Sequence, residues 1–313
     1  MNAMHPPLLF CGSSHCELAQ EVADHLNIPL GLIDRGRFPD GEISIQLLES
    51  VRGRDVFVLQ SIALDPNIYL MELLIIIDAL RRSSARSIVA VLPYFGYCRQ
   101  DRKDQPRVPI TAKLVANLLV EAGATRILAI DLHAGQLQGF FDIPVDHIHG
   151  SKPLLERFKE LNVDNCIVVA PDVGSVKIAR NFASQLSLDF AIINKHRVSS
   201  TNIDEVTLIG EVKGKNILLA DDMCSTGGTL VSAAKACREK GACRIFAAVT
   251  HGLCVGCSVE EIENSLIEAV LMTNTIPYTD RLAGSSKWIT VSIAPLLAHA
   301  IRCIIADESL SSF

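Results

Sequence analysis

The sequence predicts an α/β protein of two domains, each built on a mainly parallel sheet flanked by helices. Three observations lead there. Short unbroken apolar runs at Ile88–Pro93, Cys166–Ala170 and Ile217–Ala220 have the length of strands and the hydrophobicity of strands buried on both faces. The segment Gly123-Ala-Thr-Arg-Ile-Leu-Ala-Ile-Asp-Leu-His133 returns as Gly241-Ala-Cys-Arg-Ile-Phe-Ala-Ala-Val-Thr-His251. Gly, Ala, Arg, Ile, Ala and His recur at the same places, so a helix, a Gly-Ala turn and a strand ending in His occur twice, as if one α/β unit had been duplicated. Finally, 313 residues suit two domains of ordinary size, each able to bury its own core. The boundary is expected near Gly150-Ser151, giving domains 1–150 and 151–313.

Composition narrows the function classes. A net charge of −6 gives no reason to expect nucleic acid or a membrane as partner. Asp78, Arg81 and Arg82 close the longest apolar stretch before it reaches membrane-spanning length. The ten cysteines are scattered through apolar runs, with no framework and no secretory pattern at the N-terminus, which predicts reduced thiols in a cytoplasmic protein. Cys254-Val-Gly-Cys257 is a single C-x-x-C pair without the second ligand pair a zinc site needs.

In chain order, Leu8–Gly12 reads as a first strand, Ser13 or Ser14 as the cap of a helix to about Leu26, and Ile28–Ile33 as a second strand. Arg37-Phe38-Pro39-Asp40-Gly41-Glu42 is a turn leading into alternating Ile43, Ile45 and Leu47, a hairpin-like projection; the residues alone suit a plain surface turn equally. Val56–Gln60 is a strand and Tyr69–Arg82 a strongly apolar helix. The strand Ile88–Pro93 gives way to Tyr94-Phe-Gly-Tyr-Cys-Arg99-Gln100-Asp-Arg-Lys-Asp104, aromatics followed by both charges. This predicts an exposed loop, placed either for a polyanion such as triphosphate or simply for solvent. Thr111–Glu121 is a helix. His133, at the end of Asp-Leu-His, suits a hydrogen-bonded strand-end residue.

In the second half, Pro171-Asp172-Val-Gly-Ser175-Val-Lys177 links the strand Cys166–Ala170 to a helix. Phe190–Asn194 is a strand ending in Lys195-His196-Arg197, two cations at alternate positions that could clamp a phosphoryl group or form a solvated basic turn. Asp221 and Asp222 fall at the carboxyl end of the strand Ile217–Ala220, where open α/β sheets bind ligands. Met223–Gly228 is expected as loop, and Thr229 as the start of an Ala-rich helix ending near Gly241. N–H groups at a helix start attract phosphate, Gly227 and Gly228 allow close approach, and Ser225, Thr226 and Thr229 add hydroxyls. Acids beside such a cradle suit a sugar phosphate; a capping loop with solvated acids is the alternative. Ala269–Ile276 reads as a strand and Ile293–Ile305 as a terminal helix.

Asp221-Asp-Met-Cys-Ser-Thr-Gly-Gly-Thr229 resembles the phosphoribosyl diphosphate loop of type I phosphoribosyltransferase folds, in the version carried by ribose-phosphate diphosphokinases. Arg37-Phe-Pro-Asp-Gly-Glu42, Tyr97-Cys-Arg-Gln-Asp-Arg-Lys-Asp104 and Arg107-Val-Pro-Ile-Thr-Ala-Lys113 are similar to further motifs of that family, in family order. The resemblance covers nearly the whole chain. It implies two type I phosphoribosyltransferase-like domains and transfer of the diphosphoryl group of MgATP to O1 of ribose 5-phosphate. It implies that Phe38, Asp40, Gly41, Glu42, Arg99 and Gln100 contact ATP, the hairpin serving a neighbouring subunit. It also implies a catalytic loop carrying Lys195 and Arg197, and a ribose 5-phosphate site of Arg197, Asp221, Asp222, Ser225, Thr226, Gly227, Gly228 and Thr229. Magnesium is implied at His133 and Asp172. Ser50, Arg52, Ser83, Ser84, Arg107, Ser309 and Ser311 match a regulatory site for phosphate and ADP. A homo-oligomer, by family expectation a hexamer, goes with it.

The chain departs from the family at Ser175, usually glycine, at Val198-Ser199, and above all at Ser225, usually aspartate. No G-x-x-x-x-G-K-[ST] loop is present to hold ATP instead. A phosphoribosyltransferase would have no reason to carry the hairpin and Arg-Gln-Asp motifs, and a non-catalytic relative would be expected to lose Lys195, Arg197, His133 and Asp172.

Overall fold

The computed structural model describes residues 6–196, 205–278 and 282–310. The chain divides into two compact units: Met1–His149 with Thr275–Pro277 and Ile293–Phe313, and Gly150–Asn274 with Tyr278–Ser292. The change at Gly150 falls where the sequence shifts from one α/β repeat to the next. The C-terminal helix, Ala294–Ile305, belongs to the first unit because Leu297, Ala298 and Ile301 share a core with the unit's first helix.

The first unit contains β1 (Leu8–Cys11), α1 (Cys16–Leu26), a hairpin of β2 (Ile33–Arg37) and β3 (Ile43–Leu47), β4 (Asp55–Leu59), α2 (Pro66–Arg82), β5 (Ser87–Leu92), α3 (Thr111–Ala122), β6 (Arg126–Ile130) and β7 (Val145–Ile148). Its sheet is parallel in the order β1-β4-β5-β6-β7. Alternate strand residues Leu9, Cys11, Phe57, Leu59, Val89, Val91, Leu128 and Ile130 pack against α1 and the C-terminal helix. Strands so apolar on both faces need a helix layer on each side.

Two expectations are corrected here. Ile28–Ile33 is not a strand: only Leu30 bridges Leu9, beyond which the chain turns into the hairpin at Ile33. Pro29 lacks the N–H a ladder needs, and a Cβ at Gly31 would lie 2.6 Å from the Phe10 ring. The cap of α1 is neither Ser13 nor Ser14 but His15, whose Nδ1 accepts from Leu18 N–H at 3.4 Å. The serines are engaged elsewhere. Ser14 N–H and Oγ–H donate to Gln60 Oε1, Ser61 N–H donates to Ser14 Oγ, and Ser13 donates to Glu72.

The second unit contains α4 (Ser151–Glu160), β8 (Cys166–Ala170), α5 (Val176–Leu186), β9 (Phe190–His196), β10 (Glu205–Ile209), β11 (Asn216–Cys224), α6 (Gly228–Glu239), β12 (Ile245–Gly252), α7 (Ser258–Glu263), β13 (Ala269–Thr273) and β14 (Trp288–Val291). The sheet order is β10-β9-β8-β11-β12-β13-β14, parallel except for β10 against β9. The apolar runs divide between two faces. Ile167, Val169, Ile217, Leu219, Ile245 and Ala247 pack on α6, while Val168, Ala170, Leu218, Ala220, Phe246 and Ala248 pack on α4 and α5.

The repeat seen in the sequence has a structural counterpart. Gly123 and Gly241 both have positive φ, 125° and 86°. Arg126 at the start of β6 pairs with Asp146 at 2.8 Å, and Arg244 before β12 pairs with Glu268 at 2.8 Å. The copies then diverge. β6 stops at Ile130, leaving His133 exposed, whereas β12 continues through His251, which is buried.

Candidate active site

In the second unit β8 and β11 are neighbours, yet the helices that follow them, α5 and α6, cover opposite faces of the sheet. The connections therefore part at the carboxyl ends of these strands, where a crevice opens in folds of this kind. β11 reaches Cys224 rather than ending before Asp221, a third correction to the expected elements. Its pairing is one-sided there: with β12 it extends to Cys224↔Gly252, with β8 it stops at Leu219↔Val169. Asp221 and Asp222 thus lie on a stretch of strand with one edge open.

Both aspartates are buried, 9 % and 8 % exposed. Burial, then the charges of Asp222 and Asp172, push the Asp221 carboxyl up to about 8. Asp221 therefore lies within electrostatic reach of both other carboxylates. Asp172 is fixed by its own loop: Ser175 N–H donates to Asp172 Oδ1 at 3.1 Å, and the buried Ser175 hydroxyl lies 3.1 Å from the same oxygen. Ser175, the departure from glycine, is thus the residue that orients Asp172. Such a set of acidic oxygens fits a hard divalent cation or sugar hydroxyls.

Beside them Ser225, Thr226 and Gly227 form the turn into α6, which starts at Gly228, one residue earlier than expected. Gly227 has φ 84° and no side chain caps the helix, which leaves the first-turn N–H groups to a ligand. The turn is braced from behind: Cys254 N–H donates to Cys224 C=O at 3.1 Å and Val255 N–H to Ser225 C=O at 2.9 Å. Cys254 therefore supports this loop, and Cys257 is an exposed free thiol. Lys195 lies on β9, its backbone opposite Val206; its side chain and all of Arg197 lie outside the described residues.

In the first unit the carboxyl ends of β1 and β4 are tied together. The loops after β1 and β4 hydrogen-bond to each other through Ser14, Gln60 and Ser61, and a Cβ at Gly12 would overlap the Gln60 amide. Other loops are available. The hairpin tip closes through Phe38 N–H to Glu42 C=O and Gly41 N–H to Phe38 C=O, both 2.8 Å, with Gly41 at φ 95°. Phe38 is left 53 % exposed, and Asp40 and Glu42 are exposed beside it. The loop after β5 is only half exposed as expected: Tyr94, Phe95 and Cys98 are buried, Arg99 and Gln100 exposed. Gln100 holds the start of α3, its carbonyl accepting from Ala112 N–H and its side chain from the Thr111 hydroxyl. Gln136 Nε2 donates to Asp101 at 3.1 Å, joining this loop to the segment that carries His133.

Residues beside His133 escaped the sequence reading. Asp131, His147 and His149 place ligand atoms within 4.8 Å of one another, a group able to hold a metal ion. His149 Nδ1 meets Asp131 Oδ1 at 2.7 Å, and this hydrogen bond raises the His149 pKa against the effect of burial. His147 Nε2 accepts from Leu132 N–H at 3.0 Å. The signal was present: histidines at alternate positions of a strand share a face, and β7 runs beside β6.

Of the regulatory candidates, the turn after Arg52 meets the Ser83-Ser84 turn, Gly53 N–H donating to Ser84 C=O at 2.8 Å. Ser50 and Arg107 are exposed, the latter at φ 66°. Ser309 lines a cavity of about 280 Å³ with Arg126, Asp146 and Asp307. Ser311 lies outside the described residues.

Fold and crevice together define a class, the α/β proteins that present carboxylates and an uncapped helix start at a topological switch point. Residues 8–123 match the N-terminal domain of ribose phosphate pyrophosphokinase, and residues 197–313 the phosphoribosyl synthetase-associated domain. The ribose-phosphate pyrophosphokinase of Wolinella succinogenes is 50 % identical over 304 residues, 97 % of each chain. That of Chlorobaculum tepidum is 50 % identical over 307 residues, 98 % of this chain and 94 % of the other. The crystal structure of phosphoribosylpyrophosphate synthetase from Mycobacterium smegmatis superposes with a TM-score of 0.92 at 42 % identity, covering 97 % of this chain and 100 % of that one. The chain belongs to the ribose-phosphate pyrophosphokinase family.

Proposed function

We propose that this chain is a diphosphotransferase that moves the β,γ-diphosphoryl group of ATP to O1 of ribose 5-phosphate, releasing 5-phosphoribosyl 1-diphosphate and AMP. The product is a precursor for nucleotide and amino-acid biosynthesis. The observation that carries this reading is the strand end of the second unit, where Asp221 and Asp222 lie on the open edge of β11, Asp221 within electrostatic reach of Asp172, beside the uncapped start of α6.

Each role follows from chemistry. Asp221 and Asp222 accept hydrogen bonds from ribose hydroxyls and so orient O1. The N–H groups at the start of α6, with the hydroxyls of Ser225, Thr226 and Thr229, hold the 5-phosphate, and Gly227 and Gly228 keep the approach clear. Phe38 stacks on adenine while Asp40, Gly41 and Glu42 take its polar edge, and Arg99 and Gln100 reach the nucleotide. Lys195 and Arg197 neutralise charge as the β-phosphorus is attacked in line.

The second unit's donor set fits magnesium through hard carboxylate oxygens at Asp172 and Asp221; for His133, in the first unit, we infer weak or water-mediated contact with a metal bound with ATP. Bound magnesium supplies positive charge against the phosphate oxygens. We assign the ATP contacts and, with Ser309 and Ser311 of the C-terminal segment, the regulatory contacts to the first unit, and the ribose 5-phosphate site to the second. Ser50, Arg52, Ser83, Ser84, Arg107, Ser309 and Ser311 form a phosphate and ADP effector site in a homo-oligomer, a hexamer by analogy with the family. No helix among the described residues is long and apolar enough to cross a membrane; we place the enzyme in the cytoplasm from its metabolic reaction.

The test is AMP release from ATP by purified protein, with and without ribose 5-phosphate, at low and high inorganic phosphate. Ribose-dependent AMP that rises with phosphate supports both the reaction and its regulation. No AMP under any condition would instead indicate a non-catalytic relative, with Ser225 the first residue to change.

A further inference from the structure

Two cysteines that the proposed reaction does not use meet at the junction of β1 and α1. Cys11 ends the strand and is buried, whereas Cys16 opens the helix and is exposed. Both thiols approach one carbonyl: Cys11 Sγ lies 2.8 Å and Cys16 Sγ 3.6 Å from Gly12 O. Arg35, on β2, joins them. Its Nη1 donates to Gly12 C=O at 2.7 Å and to Cys11 C=O at 2.9 Å, and lies 3.6 Å from Cys16 Sγ.

The two sulfurs are unequal for physical reasons. Cys11 lies in the sheet core, where low dielectric disfavours an anion. Cys16 sits at the first helical position, where backbone N–H groups and the helix dipole favour one, and it has a guanidinium beside it. The Cys11 thiol is pushed up by its hydrogen bond to Cys16 and by burial. The Cys16 thiol is pulled down to about 6, first by the hydrogen bond from Cys11 and then by Arg35, against the opposing effect of burial.

We propose that Cys16 and Cys11 form a peroxide-reactive dithiol, with Cys16 the nucleophile and Cys11 the resolving thiol. The Cys16 thiolate attacks one oxygen of a hydroperoxide. An S–O bond forms, the O–O bond breaks, and the departing oxygen takes a proton from solvent to leave as alcohol or water, giving a sulfenic acid. Cys11 sulfur then attacks the sulfenic sulfur. The S–S bond forms, the S–O bond breaks, and hydroxide leaves as water with the proton of Cys11. Two thiols are oxidised and one hydroperoxide reduced.

A thiol at about 6, compared at pH 6 with one at ~8.5, has roughly a hundredfold more thiolate, offset about tenfold by lower intrinsic nucleophilicity. The expected rate advantage is therefore about tenfold. The test treats the full chain with hydrogen peroxide at pH 6, blocks remaining thiols by alkylation, and maps the peptides, with the exposed Cys243 and Cys257 as internal references. Expected are oxidation of Cys16 about tenfold ahead of both references and a Cys11–Cys16 link lighter by two hydrogens, reversed by dithiothreitol. Cys11→Ser should stop at a sulfenic acid that dimedone traps, and Cys16→Ser should leave Cys11 reduced. Oxidation of wild-type Cys16 no faster than that of Cys243 and Cys257 overturns the proposal, whether or not the variants fold; so does oxidation of Cys11 in Cys16→Ser.

Discussion

Replacing Asp221 by Asn keeps the shape of a buried side chain and removes its titration. Asp221 is 9 % exposed and its carboxyl is raised from 3.8 to about 8 by burial and the neighbouring acids. The ligand-free folded state thus retains a proton that the unfolded chain releases, so stability falls as pH rises from about 4 to about 8. At ~1.4 kcal/mol per pH unit the ceiling is about 6 kcal/mol. Sharing of charge with Asp222 and an effective dielectric of about 20 reduce this, and we expect ~1–3 kcal/mol at pH 8. Asp221→Asn should therefore melt several degrees higher than wild type at about pH 8, and by a smaller margin at about pH 5. It should also lose turnover, because an amide cannot replace the carboxylate against a cation or ribose hydroxyl. Magnesium should raise the melting temperature of the wild type, more at pH 8 than at pH 6, and hardly that of the variant. Thermal unfolding followed by circular dichroism across this range decides the matter. A variant with the wild-type pH slope and no gain at pH 8 would refute the premise that burial holds Asp221 protonated.

Four further outcomes are expected. Lys195→Ala should lower kcat at least about a hundredfold with nucleotide binding by calorimetry largely intact; unchanged turnover would remove Lys195 from the mechanism. Phe38→Ala deletes a ring that is 53 % exposed, so stability should change by less than about 0.5 kcal/mol while KM for ATP rises about tenfold, in line with loss of one base stack. An unaltered KM would place adenine elsewhere. Ser225→Asp should lower KM for ribose 5-phosphate about fivefold if the carboxylate adds a ribose hydrogen bond of ~1 kcal/mol; a higher KM would mean the hydroxyl serves the phosphate better. Gly12→Ala should cost about 1–3 kcal/mol, because the new methyl must displace Gln60 from its bonds to Ser14. A melting temperature equal to wild type would show that these loops yield freely.

The sequence alone determined the fold class, because apolar runs such as Ile217–Ala220, short and bounded by turn residues, suit strands of a sheet covered on both faces, and local composition records that directly. It also placed the hairpin, the strand-to-helix loops and the Gly123 and Gly241 repeats, since turn residues and periodicity act over a few positions. Tertiary structure decided what depends on neighbours distant in sequence. How far β11 runs past Asp221 is settled by β12, a partner that local propensity does not register. Ile28–Ile33 had strand character, but Pro29 and the Phe10 ring against Gly31 left it one bridge. Asp221, an ordinary acid by sequence, becomes a proton-holding group only because burial and Asp172, from another loop, surround it. His147 and His149 read as alternating polar residues until folding brings them against Asp131. In the first unit Ser14, Gln60 and Ser61, from two separate loops, tie the carboxyl ends of β1 and β4 together. Motifs reveal the chemistry that contiguous residues can perform; which loops are tied together and which strand edges stay open is set by side chains that meet only after folding.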